Sequence, residues 1–233
     1  MSELVSTNWV YKNLDNRKLV ILDCSWHLPS EKRNALKDYQ DSHIKKSLFF
    51  DIDKIADKKS NLPHMTPNPM FFEKKMQQFG VNSNSIVIVY DTIGIFSSAR
   101  VWWLFKYFGH EKVFVMNGGL PKWKKENKPT TKKIINPKKG NFISKLNNLL
   151  KINNKYVLNN INNNNVIILD ARNKKRFHGK INEPRPGLRH GHIPKSKNLF
   201  WGNLISKKGT FLPKKKIIKK INKYKLNKKN IIT

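Results

Sequence analysis

The chain has 233 residues, 38% of them apolar and 11% aromatic, and carries 47 lysines and arginines against 15 acidic side chains, a formal charge of +32. These figures rule out a disordered chain and allow one large core or two small ones, two being the ordinary division at this length. The single cysteine, Cys24, rules out an internal disulfide and a cysteine-rich metal site.

The opening residues MSELVSTNWVYKNLDNRK hold no apolar stretch of signal-peptide length, and no run approaches the ~18 apolar residues of a membrane span. A soluble cytoplasmic protein that engages no membrane is expected. LVILD (19–23) reads as a buried strand, FFEKKMQQFGV (71–81) as a helix and SIVIVYD (85–91) as a second buried strand. SSARVWWLFKYFG (97–109) reads as a helix closed by Gly109, and KVFVMNGG (112–119) as a strand and a turn at Gly118-Gly119. Strands alternating with helices imply an α/β unit with a parallel sheet flanked on both faces.

The unit recurs. VIILD (166–170) repeats LVILD; His43-Ile44 follows Asp23 by 20 residues and His192-Ile193 follows Asp170 by 22. The phrases KKSLFFDIDKI and PKSKNLFWGNLI then follow each pair. Between the copies the chain is rich in Lys, Asn, Pro and Thr and reads as a linker. Laying YKLNKKNIIT (224–233) on FGVNSNSIVIVYD (79–91) sets Asn230–Ile232 against Ser85–Val87, so the second copy is expected to stop inside a central strand, as in a truncated form. His43 and His192 occur in both copies and are expected to be hydrogen-bonded structural residues. No His/Asp/Glu cluster has metal-ligand spacing, and neither metal nor cofactor is expected.

The charge is written almost entirely as lysine: seven residues are arginine (17, 33, 100, 172, 176, 185, 189) and 40 are lysine. The lysines arrive diffusely with Asn and Ile, so no specific nucleic-acid partner is expected. Four of the seven arginines fall between Arg172 and Arg189. A guanidinium fork grips a carboxylate or sulfonate through two parallel hydrogen bonds, which suits a small anionic ligand. The alternative is structural pairing of these arginines with Asp170 or Glu183.

FFDID (49–53), LPHM (62–65), RVWWLFKYFGH (100–110), NGGLPKW (117–123), LDAR (169–172), RF (176–177), EPRPG (183–187) and GHIP (191–194) occur in this order. Together they resemble the two-domain sulfurtransferases of the rhodanese superfamily, nearest the branch that takes 3-mercaptopyruvate. The resemblance runs from Val5 to the last residue and thins only in the linker. It implies an α/β fold of two tandem rhodanese-like domains: a non-catalytic one at 1–127, a linker at 128–155, and a catalytic-type one at 156–233, incomplete at its C-terminus.

The activity implied is transfer of sulfane sulfur from 3-mercaptopyruvate, or thiosulfate, through a cysteine persulfide to a thiol such as thioredoxin or to cyanide. The nucleophilic cysteine is then expected two or three positions beyond Thr233, with Asp91 at its place in the silent copy. Cys24, whose counterpart is Ala171, is expected to be a packed small residue. By residue-for-residue match, Arg176 and Arg185 bind substrate, and Asp53 and His64 are first-domain residues that reach across the cleft. The thiosulfate-preferring branch usually lacks this histidine and the arginine after EP, which favours mercaptopyruvate. A non-catalytic anion-binding module that has lost its nucleophile is the alternative.

Overall fold

Short apolar runs become the inner strands of two parallel sheets. The computed structural model describes residues 3–184, 187–226 and 230–233. They divide into two units, Met1–Leu150 with Lys208–Thr210, and Lys151–Lys207 with Phe211–Thr233.

The first unit runs β1 (Leu4–Val5), α1 (Thr7–Lys12), β2 (Leu19–Asp23), α2 (Ala35–Asp41), β3 (His43–Ile44), β4 (Ser47–Phe49), α3 (Pro69–Gln78), β5 (Ile86–Tyr90), α4 (Ser97–Tyr107), β6 (Val113–Met116), α5 (Gly119–Lys125) and β7 (Thr130–Thr131). Its main sheet has the order β1-β6-β5-β2-β4, and every neighbouring pair is parallel. The inner strands are apolar on both faces because helices cover both. One face packs Ile21, Ile88 and Tyr90 against Val10 and Leu14 near α1 and Leu120 and Trp123 of α5. A second cluster is aromatic: Phe72 of α3 stacks on Phe108 at 4.1 Å and meets Phe105 edge-on at 5.5 Å.

The helix expected at 71–81 begins earlier, because Pro69 supplies a preset φ at the first turn and the Asn68 side chain caps Met70 N at 2.9 Å. The helix expected at 97–109 ends at Tyr107, with Gly109 at φ 82° turning the chain out.

Most of the segment expected as a linker is bound to the first unit. Thr130–Thr131 pairs antiparallel with β3. Farther on, Gly140 N donates to Gln77 O (2.8 Å), Phe142 N to Val81 O (3.0 Å), Lys145 N to Phe108 O (3.0 Å) and Asn147 N to Tyr107 O (2.8 Å). Phe142 is buried and meets Phe72 edge-on at 6.0 Å. One aromatic ring and a row of main-chain bonds order a strap that its polar composition reads as loose.

The second unit runs α6 (Asn154–Asn160), β8 (Val166–Asp170), α7 (Lys174–Phe177), β9 (Lys197–Asn198), α8 (Lys214–Asn222) and β10 (Asn230–Ile232). Its parallel sheet has the order β10-β8-β9, and Ile167, Leu169 and Tyr224 form its core with Leu199 and Leu226 against them. Asn230 pairs with Val166, whereas the equivalent Leu19 of the first unit pairs with Ile86. The ladders therefore match Asn230–Ile232 to Ile86–Ile88, one residue along from the alignment with Ser85–Val87. That alignment rests on two isoleucines, and neighbouring β-branched residues are interchangeable to the eye but not to a register.

Candidate functional site

In parallel sheets, functional side chains collect where strands end at their carboxyl edge, because the loops there are free to vary over a fixed scaffold. The first unit gathers three such loops, after β2, β4 and β5.

Asp91 immediately follows β5, at the position that the sequence assigned to a nucleophile in the other copy. Its carboxylate is buried and fully engaged. Oδ1 accepts from the Ile93 and Gly94 amides at 2.9 and 2.8 Å; Oδ2 accepts from the Phe96 and Ser98 amides at 2.8 and 3.0 Å and from the Ser98 hydroxyl at 2.6 Å. Successive main-chain N–H groups leading into the N-terminus of α4 make a cradle for negative charge, and the chain's own carboxylate fills it. Gly119 belongs to this device: with φ 53°, a Cβ there would lie 2.4 Å from the Asp91 carbonyl.

Beneath the cradle, Asp23 ends β2. Ser25 N and Oγ donate to its Oδ1 at 3.0 and 2.5 Å, while Oδ2 has no hydrogen-bond partner among the described residues. Burial pushes this carboxyl up to about 6, against the pull of the Ser25 hydrogen bonds. Cys24 is fully buried, with its Sγ 3.5 Å from Leu22 O. Burial, with Asp23 and Asp91 nearby, pushes its thiol well above the ordinary range.

Asp53 and His64, from the loop after β4, come together: His64 Nε2 lies 2.7 Å from Asp53 Oδ1. Two residues not singled out from the sequence join them. The Trp26 indole N–H donates to Asp53 Oδ2 at 3.0 Å, and Arg100 Nη2 of α4 donates to His64 O at 2.5 Å. The sequence signal for Trp26 is an aromatic residue three positions past a buried strand; Arg100 lies within the motif RVWWLFKYFGH.

In the second unit, the carboxyl end of β8 carries the arginine window. Arg172 Nε donates to both Asp170 oxygens at 3.0 Å, its Nη2 to Asp170 Oδ2 (2.5 Å) and Gly191 O (2.7 Å), and its Nη1 to Glu183 Oε1 (2.9 Å). Arg176 commits Nε, at 3.0 Å, and Nη2 to Glu183 Oε2. Both arginines thus make the structural pairings that the sequence left as the alternative to an anion grip. Arg176 hydrogen bonds and charge, aided by Arg172, hold Glu183 below the usual carboxylate range against its burial. Burial raises Asp170, but the Arg172 bonds and charge more than offset it and leave it lowered. Arg185 lies outside the described residues.

The two repeated histidines are built alike. His43 Nδ1 donates to Tyr39 O at 2.6 Å and stacks on that ring at 4.0 Å; His192 Nδ1 donates to Phe177 O at 2.8 Å and stacks on Phe177 at 3.8 Å. Among the described residues no group of three His, Cys, Asp or Glu is arranged to hold a metal, and no helix is long and apolar enough to cross a membrane.

The model of the rhodanese-like domain matches residues 6–126 and again 153–233. The chain belongs to the rhodanese-like family. Within it, the chain is 38% identical over 240 residues to the thiosulfate/3-mercaptopyruvate sulfurtransferase 1, mitochondrial, of Arabidopsis thaliana, covering 94% of this chain and 63% of that relative. It is 36% identical over 202 residues to the 3-mercaptopyruvate sulfurtransferase of Escherichia coli K12, covering 86% of this chain and 72% of that one. The crystal structure of the 3-mercaptopyruvate sulfurtransferase SseA from Escherichia coli superposes with a TM-score of 0.87 at 31% identity, over 96% of this chain and 84% of that chain. The chain thus spans about two thirds of the length of these relatives, and the rhodanese-like domain occurs in it twice.

Proposed function

We propose that this chain is part of a sulfurtransferase that moves sulfane sulfur from 3-mercaptopyruvate, with thiosulfate as a second donor, through a cysteine persulfide to a thiol or cyanide. The observation that carries the reading is the Asp53–His64 pair at 2.7 Å, in a chain that relatives named for this activity match over most of its length. A carboxylate only accepts, so the neutral His64 ring carries its proton on Nε2 and offers Nδ1 as an acceptor. Such a group serves a step in which a proton leaves a thiol or settles on the released enolate.

The donor keeps a carboxylate throughout, and the guanidinium groups of Arg176 and Arg185 are assigned to it. Arg176 has five N–H donors and commits two nitrogens to Glu183, which orients the fork and leaves Nη1 for a ligand. The nucleophile is assigned to the loop after β10; on the ladder register, the counterpart of Asp91 is the second residue after Thr233. The Asp91 cradle supports this assignment, because an equivalent ring of amides would stabilise a thiolate and then its persulfide anion. Thioredoxin is the proposed thiol acceptor.

The test is pyruvate release and thiocyanate formation from 3-mercaptopyruvate and cyanide, in the protein carrying a thiol at that position. Arg176→Lys and Arg185→Lys keep the charge and lose the fork, and each is expected to cut kcat/KM by roughly tenfold or more. Full kcat/KM in both would overturn their assignment.

A second reading, a non-catalytic anion-binding module, is favoured by the burial of Cys24, the one cysteine of these 233 residues. The same assay on residues 1–233 separates the two roles: no activity above a Cys24→Ala control is expected, and activity that disappears in that control would make Cys24 the nucleophile.

A further inference from the structure

The two oxygens of Asp53 have different partners. Oδ2 faces the Trp26 indole N–H, a group that donates and never accepts; Oδ1 faces His64 Nε2. The Asp53 side chain is 63% exposed, and a surface Asp–His pair is worth about 0–1 kcal/mol, too little to hold one geometry against water. Trp26 supplies what the pair lacks. Its ring also stands edge-on to the His64 imidazole, with centroids 5.0 Å apart and planes at 88°, so turning the imidazole drives it into the indole. Phe96 backs the indole at 6.4 Å.

The backbone of His64 is constrained from the other side. It lies at φ 58°, in the left-handed region, which is uncommon for a residue other than glycine although histidine enters it more readily than most. The Arg100 bond to its carbonyl holds it there, and the Arg100 guanidinium is itself steadied over the Trp103 ring at 4.6 Å. Among the described residues no ion pair joins Arg100 to a carboxylate, and its guanidinium donates to the His64 carbonyl.

We propose that Trp26 and Arg100 are positioning residues for His64: Trp26 holds the orientation of the Asp53 side chain whose carboxylate keeps the ring proton on Nε2, and Arg100 fixes the backbone that carries the ring. What Nδ1 acts on rests on the sulfurtransferase reading; the positioning itself does not.

The test uses the amide that Asp53→Asn creates. If the indole N–H dictates orientation, the carboxamide oxygen must face Trp26, its NH₂ must face His64, and the ring must move its proton to Nδ1. Long-range ¹H–¹⁵N correlation spectra of residues 1–233 read the tautomer directly, with His43 and His192 as internal controls for the fold. The expected result is predominantly Nε2–H in the parent, predominantly Nδ1–H in Asp53→Asn, and loss of that inversion in the Trp26→Phe/Asp53→Asn double variant, where the amide is free to flip. Retention of Nε2–H in Asp53→Asn, or full inversion in the double variant, overturns the Trp26 assignment. Arg100→Lys is expected to shift the His64 Cα signal away from its left-handed value, and an unchanged signal overturns the role of Arg100. If the Asp53→Asn variants fail to fold, Trp26→Phe alone decides: the His64 Nε2–H is expected to exchange with solvent faster than in the parent, and an unchanged exchange rate overturns the proposal.

In the enzyme bearing the nucleophilic thiol, Trp26→Phe is expected to lower kcat roughly tenfold with KM within twofold. Absence of sulfur transfer in the parent enzyme would sink the sulfurtransferase reading, while the tautomer result still decides the positioning.

Discussion

Asp23 and Asp91 are both buried carboxyls of the first unit, and their surroundings give them opposite characters. Asp91 meets five donors, so its charge is balanced by amide dipoles. Asp91→Asn would turn an NH₂ group toward amides that only donate, and the first unit is expected to lose roughly 3 kcal/mol, read as a lower urea midpoint. An unchanged midpoint would mean that the cradle contributes nothing to the fold. Among the described residues one Asp23 oxygen has no hydrogen-bond partner, and burial raises the carboxyl from 3.8 to about 6. Between those two values the native state holds a proton that the unfolded chain has released, so stability falls as pH rises from about 4 to about 6. Holding the charge at neutral pH costs roughly 3 kcal/mol on this account. Asp23→Asn is expected to flatten that slope; a variant whose urea midpoint still falls across the same window would place the titration elsewhere.

The loop from Asp170 to Gly191 has the opposite pH signature. Glu183, 3% exposed, serves Arg172 and Arg176 at once, and both it and Asp170 are held below the usual carboxylate range. Lowered carboxyls contribute stability above their unfolded values, and it is lost as pH falls through the lowered ones. Glu183→Ala leaves two guanidinium groups short of a partner. They are about a quarter exposed, so the expected loss in the second unit is roughly 1–3 kcal/mol rather than the full cost of breaking a buried pair. Trp201 is the one tryptophan beyond position 150 and reports that loss by fluorescence. A second-unit transition unmoved by Glu183→Ala would mean that the loop is held by other contacts. The strands LVILD, SIVIVYD and VIILD were legible because buried parallel strands are runs of β-branched residues. Helices α3 and α4 were legible because they are long enough to show a period. The short helices α1, α2, α5 and α6 were not, since six or seven residues do not complete two turns. Asp53 and His64 came from the resemblance alone; nothing in their spacing shows that two loop residues eleven apart will meet. Trp26 and Arg100 depend on contacts that only the fold creates.

Across the chain, the +32 charge is uneven: residues 1–150 carry 25 lysines and arginines against 13 acidic side chains, whereas 151–233 carry 22 against Asp170 and Glu183 alone. Self-repulsion therefore weakens the second unit in the same direction as its smaller core and sheet. The first unit has a five-stranded parallel sheet with an apolar cluster ending in the buried Trp123 and an aromatic cluster closed by Phe142. The second has three strands and a core of Ile167, Leu169 and Tyr224. Apolar burial is the main stabilising term, and three strands bury less of it per ordered residue. The second unit is therefore expected to open first under mild denaturant, and a protease should cut there while the first remains intact. Where the surviving fragment ends discriminates between a linker beginning at residue 128 and the strap described above. Cutting a backbone requires several residues to enter the protease in extended form, and at 140–147 that means breaking main-chain bonds to Gln77, Val81, Phe108 and Tyr107 and withdrawing the Phe142 ring from Phe72. Leu149, by contrast, is 92% exposed. Mass spectrometry of the resistant fragment should find its C-terminus between about 148 and 160, with Phe142 retained. Phe142→Ala should move the cut toward residue 128 and lower the first unit's midpoint by roughly 3 kcal/mol, the ordinary loss for a buried phenylalanine. A wild-type fragment ending before residue 140 would show that the strap is open in solution.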